Sequence, residues 1–174
     1  MLITTLIALF AAQDVPPPPP VADDMPAPVM STTHPDEEAV EPYTPSNANA
    51  GATPFAGSAM AEAFGGQAGI RRLIDRFVTA NFADPRIGAI FQGQDQVRLR
   101  RTLFEQFCYI LAAGCDYSGR DMRSAHKDMG VQQGDMNRLV ENLQAAMTAE
   151  GVPFPAQNRF LAKLAPMRRD VVER

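Results

Sequence analysis

Residues 58–174 are predicted to form an all-α domain, and three observations predict it. Apolar residues recur at i, i+3 and i+4 in five segments, the period of a helix with one buried face. No segment carries the strict alternation of a strand. Gly, Pro and Asp fall between the periodic segments, where helices start and stop.

Residues 58–64 read as a short helix of small residues, and Phe64-Gly65-Gly66 after it as a tight turn. No strand precedes these glycines, so the context of a dinucleotide-binding loop is absent. Over 67–82, Ile70, Leu73, Ile74, Phe77, Val78 and Phe82 make one stripe while Arg71, Arg72, Asp75 and Arg76 face out. Asp84-Pro85 ends that helix. Asp95 is placed to cap the next, over 96–111, with Leu99, Leu103, Phe104, Phe107, Ile110 and Leu111 apolar. The stretch 114–130 reads mostly as loop. A helix follows from Gly134-Asp135 to Ala149, with Leu139, Val140, Leu143, Ala146 and Met147 inward and Gly151 as its left-handed stop. The last helix is expected over about 155–172, burying Phe160, Leu161, Leu164 and Val171. Four main helices in two antiparallel pairs fit a two-layer sandwich and a plain four-helix bundle alike.

The first third of the chain is different material. Residues 1–57 hold 11 of the 15 prolines and 7 acidic residues without one Lys or Arg, a net charge of −7 against +3 for the remainder. Such a stretch buries too little apolar surface to offset its ordering entropy, so 14–57 reads as a disordered, acidic linker with polyproline character at 16–20. Residues 1–13 are apolar but too short to span a bilayer as a helix. They have the length of a signal-peptide core ending in Ala11-Ala12, although the cationic leader is missing and Phe10 is bulky for the −3 position. The reading is an exported, periplasmic protein, with a cytoplasmic one whose tail has an apolar tip as the alternative.

Cys108 and Cys115 are seven residues apart, about 10 Å along a continuous helix, too far for a bridge. Gly114 could end the helix between them, but the spacing does not favour a disulfide. The domain's excess of basic residues is small and carries no stripe interleaved with aromatics, which argues against nucleic acid. Paired carboxylates, a Ser–His–Asp set and a metal cluster are all missing, so a hydrolase is not indicated.

One histidine, His126, lies in the domain; the other, His34, lies in the linker. His126 follows a Gly-containing bend, Tyr117-Ser118-Gly119, and precedes Gly130. A ring nitrogen held in such a segment, opposite a helix rich in Phe and Leu, is what haem iron takes as its fifth ligand.

The segment 64–172 resembles the group I truncated haemoglobins, the two-over-two globins. The resemblance rests on Phe64-Gly65-Gly66, Arg76-Phe77, Ala83-Asp84-Pro85, Ile90-Phe91, Tyr117-Ser118-Gly119 with Met122 and His126, and Gly151-Val152-Pro153, all in register. It implies haem b with His126 as the proximal iron ligand and a diatomic gas (oxygen, carbon monoxide or nitric oxide) as the partner, with an electron donor if the iron cycles. It implies that Phe91 wedges against the haem face, that Leu99, Leu103 and Phe107 look at the sixth-ligand side, and that Tyr117 and Met122 pack the proximal side.

Two departures from the family qualify that expectation. The family's usual ligand-side donors are a tyrosine and a glutamine; the matching positions here are Val78 and Leu103, and Leu99 beside them is also apolar. One hydrogen bond in a dry site is worth about 1–3 kcal/mol. Its loss should speed oxygen release roughly 10- to 100-fold and weakens the case for nitric-oxide dioxygenase activity. Gln106 and Thr79 are the candidate substitute donors. The usual Lys or Arg that meets a propionate is Thr102 here, leaving Arg98, Arg101 and Arg123 as substitutes. Alternatives to a gas-binding globin are a gas- or redox-sensing interaction module and a haem-free helical interaction domain.

Overall fold

Eight α-helices form among residues 34–172, the part of the chain that the computed structural model describes. Helix α1 spans Ala59–Ala63 and α2 spans Gly66–Ala83. Between them Gly65 and Gly66 take φ of 73° and 62°, a left-handed backbone in which a Cβ is unfavourable. The α2 stripe reads as expected, with Ile70, Leu73, Ile74, Phe77 and Val78 all buried. After α3, Gly88–Phe91, comes α4, Gln96–Ile110. Asp95 caps α4 as the sequence predicts, its Oδ1 accepting from the backbone N–H of Val97 at 2.9 Å and of Arg98 at 3.1 Å.

Helix α5 spans Met122–His126, with Asp121 accepting from the Ser124 N–H at its start. Helix α6 is Gln133–Ala149, and Gly151 behind it takes a φ of 74°. Helix α7 is Phe154–Leu164, and α8 is Arg168–Val171. Helix α2 packs on both α4 and α6, and α6 packs on α7. The core between them centres on Phe160, whose ring meets those of Phe64 and Phe107 edge-on at 5.1 and 4.8 Å.

The structure departs from the sequence reading in four places. The expected last helix is interrupted by a 3-10 turn at Ala165–Met167, because Pro166 has no N–H for the α-ladder. Part of the expected loop 114–130 folds into the single turn α5, and the stretch between the Asp84-Pro85 stop and the Asp95 cap holds the single turn α3, both too short for periodicity to register. Cys108 and Cys115 are bridged, with Cα atoms 5.5 Å apart. Helix α4 stops at Ile110, and left-handed Ala112 (φ 59°) and Gly114 (φ 83°) double the chain back, which removes the 10 Å separation of a continuous helix.

The fourth departure is the linker. Residues 34–57, expected to be disordered, lie packed against the helices. A 3-10 turn at Asn47–Ala50 is capped by Ser46, Ala50 is fully buried, and the Phe55 N–H reaches the Ile110 carbonyl at 2.8 Å. Composition missed this because the segment is held by polar contacts to α4 and to the loop before α5, and not by a core of its own. The apolar residues 1–13 and the linker residues 14–33 lie outside the described residues. No helix among the described residues is long and apolar enough to cross a membrane.

Candidate functional site

Leu99 and Leu103 lie on the inner face of α4 yet are only partly buried, and the reason is a cavity of about 330 Å³ beside them. Its wall includes Phe77 and Val78 from α2, Phe91 from α3, Leu99 and Leu103 from α4, Leu139 from α6, and Tyr117, Met122 and His126 from the segment between α4 and α6. Apolar side chains converging with few polar groups are the usual build of a cofactor pocket. Of the residues singled out from sequence, Val78, Phe91, Leu99, Leu103, Tyr117, Met122 and His126 line this cavity together. Phe107 does not; it stands in the core against Phe160.

His126 ends α5, and its position follows from that short helix. Its Nδ1 lies 2.7 Å from the Met122 carbonyl, one turn back. A carbonyl can only accept, so Nδ1 carries the hydrogen and Nε2 keeps its lone pair. Burial pushes the imidazole below its ordinary pKa, outweighing the raising effect of the Met122 hydrogen bond. The ring is therefore held neutral, oriented and with one nitrogen able to bind a metal. Among the described residues there is no group of three His, Cys, Asp or Glu that could hold an ion by itself.

Tyr117 is buried, and burial raises its phenol well above the usual range. Its hydroxyl donates to the Arg120 carbonyl at 2.8 Å. The ring lies where a Cβ on Gly119 would overlap it, which is the physical content of the Tyr-Ser-Gly sequence. Gln106 lines the cavity, but its Nε2 donates to the Ala50 carbonyl at 2.9 Å and is directed at Met122 Sδ at 3.3 Å, which engages both of its N–H groups. Thr79 is exposed and its hydroxyl accepts from Arg100 at 3.2 Å, on the outside of α2. Neither substitute donor named from sequence is thus free to face the cavity.

The three arginines considered as carboxylate partners are also engaged. Arg101 makes a two-pronged pair with Glu37 at 2.5 and 3.0 Å, and Arg98 lies 3.4 Å from the same carboxylate. Arg123 pairs with Asp170 at 2.5 Å on the surface. The sequence reading missed Asn81, which lines the cavity one turn beyond Val78 and accepts from Asn142 Nδ2 at 2.9 Å. It also missed Val40, Tyr43 and Arg120, all on the cavity wall. Arg120 stood inside the quoted Tyr117–His126 block, whereas Val40 and Tyr43 stood in a stretch dismissed by composition.

Comparison with known proteins bears on the family and the fold. The profile of the family described as bacterial-like globin matches residues 59–173. Group 1 truncated hemoglobin GlbN of Mycolicibacterium paratuberculosis is 25% identical over 107 residues, which cover 62% of this chain and 79% of that protein. The crystal structure of the truncated hemoglobin from Tetrahymena pyriformis in its Fe(III) form superposes with a TM-score of 0.63 at 23% identity, covering 66% of this chain and 98% of that one. A 2/2 hemoglobin from Synechococcus in the cyanomet state, with covalently attached heme, gives 0.61 at 22% identity, again over 66% and 98%. The chain belongs to the bacterial-like globin family and is a two-over-two truncated globin of the group 1 type.

Proposed function

We propose that this globin holds haem b in the cavity between α2, α4 and α5 and reversibly binds a diatomic gas there. Haem binding as such follows from membership of the globin family. The observation that carries the finer reading is the His126 ring, whose Nδ1 is committed to Met122 while Nε2 stays unprotonated in an apolar cavity. The residues present fit the group. An imidazole supplies the fifth iron ligand, and Phe77, Val78, Phe91, Leu99 and Leu103 offer an apolar enclosure for a porphyrin. Both cysteines are consumed in the disulfide, so no thiol among the described residues remains for thioether attachment, which supports non-covalent haem b.

When bound, haem supplies an iron site for a small gas. The protein's part is to hold that iron through His126, to exclude water, and to set how a ligand is held. Val78, Leu99 and Leu103 offer no hydrogen bond, so the site favours ligands that need none, and oxygen should leave quickly.

The test is a pyridine haemochrome assay on the full chain purified with hemin supplied, together with His126→Ala. One b-type haem per chain is expected, lost or greatly weakened in His126→Ala and partly restored by imidazole. His34→Ala should be without effect. A full chain that takes up no haem would overturn the reading.

A further inference from the structure

Residues 34–50, which lie ahead of the matched globin region, run across one side of the cavity. At one end Glu37 is bound to Arg101 and Arg98 of α4, with its side chain fully buried, and the Glu38 N–H donates to Asp95 at 2.8 Å. The Arg101 hydrogen bonds hold the Glu37 carboxyl below its usual pKa range, so the latch is charged on both sides. At the other end the segment is tied to the loop before α5. Tyr43 Oη donates to the Ser118 carbonyl at 2.9 Å, Asn47 Nδ2 to Asp116 at 2.8 Å, and Asn49 Nδ2 to the Gly119 carbonyl at 3.2 Å. Val40, between these anchors, and the anchoring Tyr43 both line the cavity. The segment thus bridges the gap between α4 and the strand of chain that carries His126.

Two arginines border the cavity beside this segment, Arg98 of α4 and Arg120. Arg120 lines the cavity, donates to the Glu41 carbonyl at 2.7 Å, and lies 5.3 Å from the Tyr43 ring centre. Its guanidinium is oriented by the segment, and neither contact is a carboxylate. Of the arginines that sequence alone nominated as carboxylate partners, Arg101 and Arg123 are paired with Glu37 and Asp170, while Arg98, which also borders the cavity, is held at the latch by the Glu38 carbonyl and the Glu37 carboxylate.

We propose that residues 34–50 are a closing wall of the haem site, latched by Glu37, and that Arg120, positioned by this wall, is the partner of a haem propionate. This rests on the haem reading above. A wall tied at both ends must open for the macrocycle to leave, so the latch governs how fast haem is lost. An Arg–carboxylate pair adds to retention at the exposed edge.

The experiment is transfer of haem from the full-length protein to excess apomyoglobin, followed by absorbance. Glu37→Gln and Tyr43→Ala should each speed haem loss at least tenfold, with the Soret position unchanged because His126 is untouched. Arg120→Gln should speed it severalfold with haem. With the dimethyl ester of haem, whose propionates carry no charge, that difference should vanish while the effects of Glu37→Gln and Tyr43→Ala persist. Circular dichroism confirms folding, and Tyr43→Ala keeps the test open should Glu37→Gln fail to fold. Haem loss at the parental rate or slower in Tyr43→Ala would overturn the wall. An Arg120→Gln effect that is absent with haem, or equal with the ester, would overturn its role. Absence of a Soret band from the unmodified chain overturns both this proposal and the reading on which it rests.

Discussion

The side-chain amide of Gln106 donates to the carbonyl of Ala50 across 56 residues of sequence, at 2.9 Å and in a buried setting. This bond joins the middle of α4 to the segment ahead of the globin domain. It also bears on ligand chemistry, because the second N–H of that amide is directed at Met122 Sδ, 3.3 Å away, and neither hydrogen is offered to a gas.

Replacing Gln106 by Leu should therefore act on stability and not on ligand release. The Ala50 carbonyl would stay buried without its donor, at a cost of about 1–3 kcal/mol. Thermal unfolding of the variant should show a lower Tm, while oxygen release measured by stopped flow stays within about twofold of the parent protein, well short of the tenfold change that 1.4 kcal/mol would bring. A severalfold faster oxygen release in Gln106→Leu would mean that this side chain leaves Ala50 to serve the ligand.

The Cys108–Cys115 bridge closes a short loop between α4 and the chain leading to Tyr117. Loop-closure entropy for a ring of this size gives roughly 2–3 kcal/mol of stabilisation. Cys115 is partly accessible and Cys108 is fully buried, so reduction should begin by attack at the Cys115 sulfur. Mass spectrometry of the oxidised and dithiothreitol-treated protein should differ by the two hydrogens gained. Denaturant unfolding should show the reduced form weaker by about that 2–3 kcal/mol. Two alkylatable thiols in protein purified without reductant would contradict the bridge.

Asp84 sits at the junction of α2 and α6, where it accepts from Asn142 Nδ2 at 3.0 Å, the Arg86 N–H at 2.8 Å and Arg138 Nε at 2.6 Å. These bonds, that of Asn142 foremost, hold its carboxyl at about 2 against an ordinary 3.8. The folded state thus binds the proton less readily than the unfolded state. The stabilisation is complete above 3.8 and is lost as pH falls toward about 2. Asp84→Asn should lower Tm at neutral pH and flatten the acid limb of the Tm–pH curve across that window. An acid limb as steep in Asp84→Asn as in the parent would assign the acid sensitivity to other carboxylates.

How much of this was legible beforehand follows from the kind of signal each feature leaves. The long helices announced themselves because stripes such as Ile70–Leu73–Ile74–Phe77 repeat over several turns, and Asp95 announced the start of α4 because a cap needs one residue at one place. His126 was legible as the domain's single imidazole. The bridge was not, because its geometry depends on Ala112 turning left-handed, and alanine gives no hint of that. Glu37, Val40 and Tyr43 were invisible for a related reason. An acidic, Pro-rich segment looks unable to fold, and only the fold itself sets Arg98 and Arg101 where Glu37 can meet both. Phe107 has the right spacing to follow Leu103 along α4, yet Phe160 draws it into the core.

The cavity wall of Val78, Leu99 and Leu103 yields the last expectation. Val78 is fully buried and lines the cavity at the position where the resemblance expects a tyrosine. Leu99 and Leu103 complete an apolar surface, while Gln106 and Thr79 are engaged elsewhere. Val78→Tyr places a hydroxyl in that surface. It should slow oxygen release by roughly 10- to 100-fold, the kinetic equivalent of about 1–3 kcal/mol for one hydrogen bond in a dry site. Carbon monoxide depends less on such a bond, so its release should change far less. Stopped-flow displacement of each gas from both proteins is the measurement. Asn81 is tested beside it, since the residue borders the cavity and its bond with Asn142 on α6 engages the carboxamide oxygen and not the amide N–H groups. Asn81→Leu should leave the ratio of the two release rates as it is. Slow oxygen release in the unmodified protein that becomes fast in Asn81→Leu would instead make Asn81 the donor, and the apolar account of this pocket would fail.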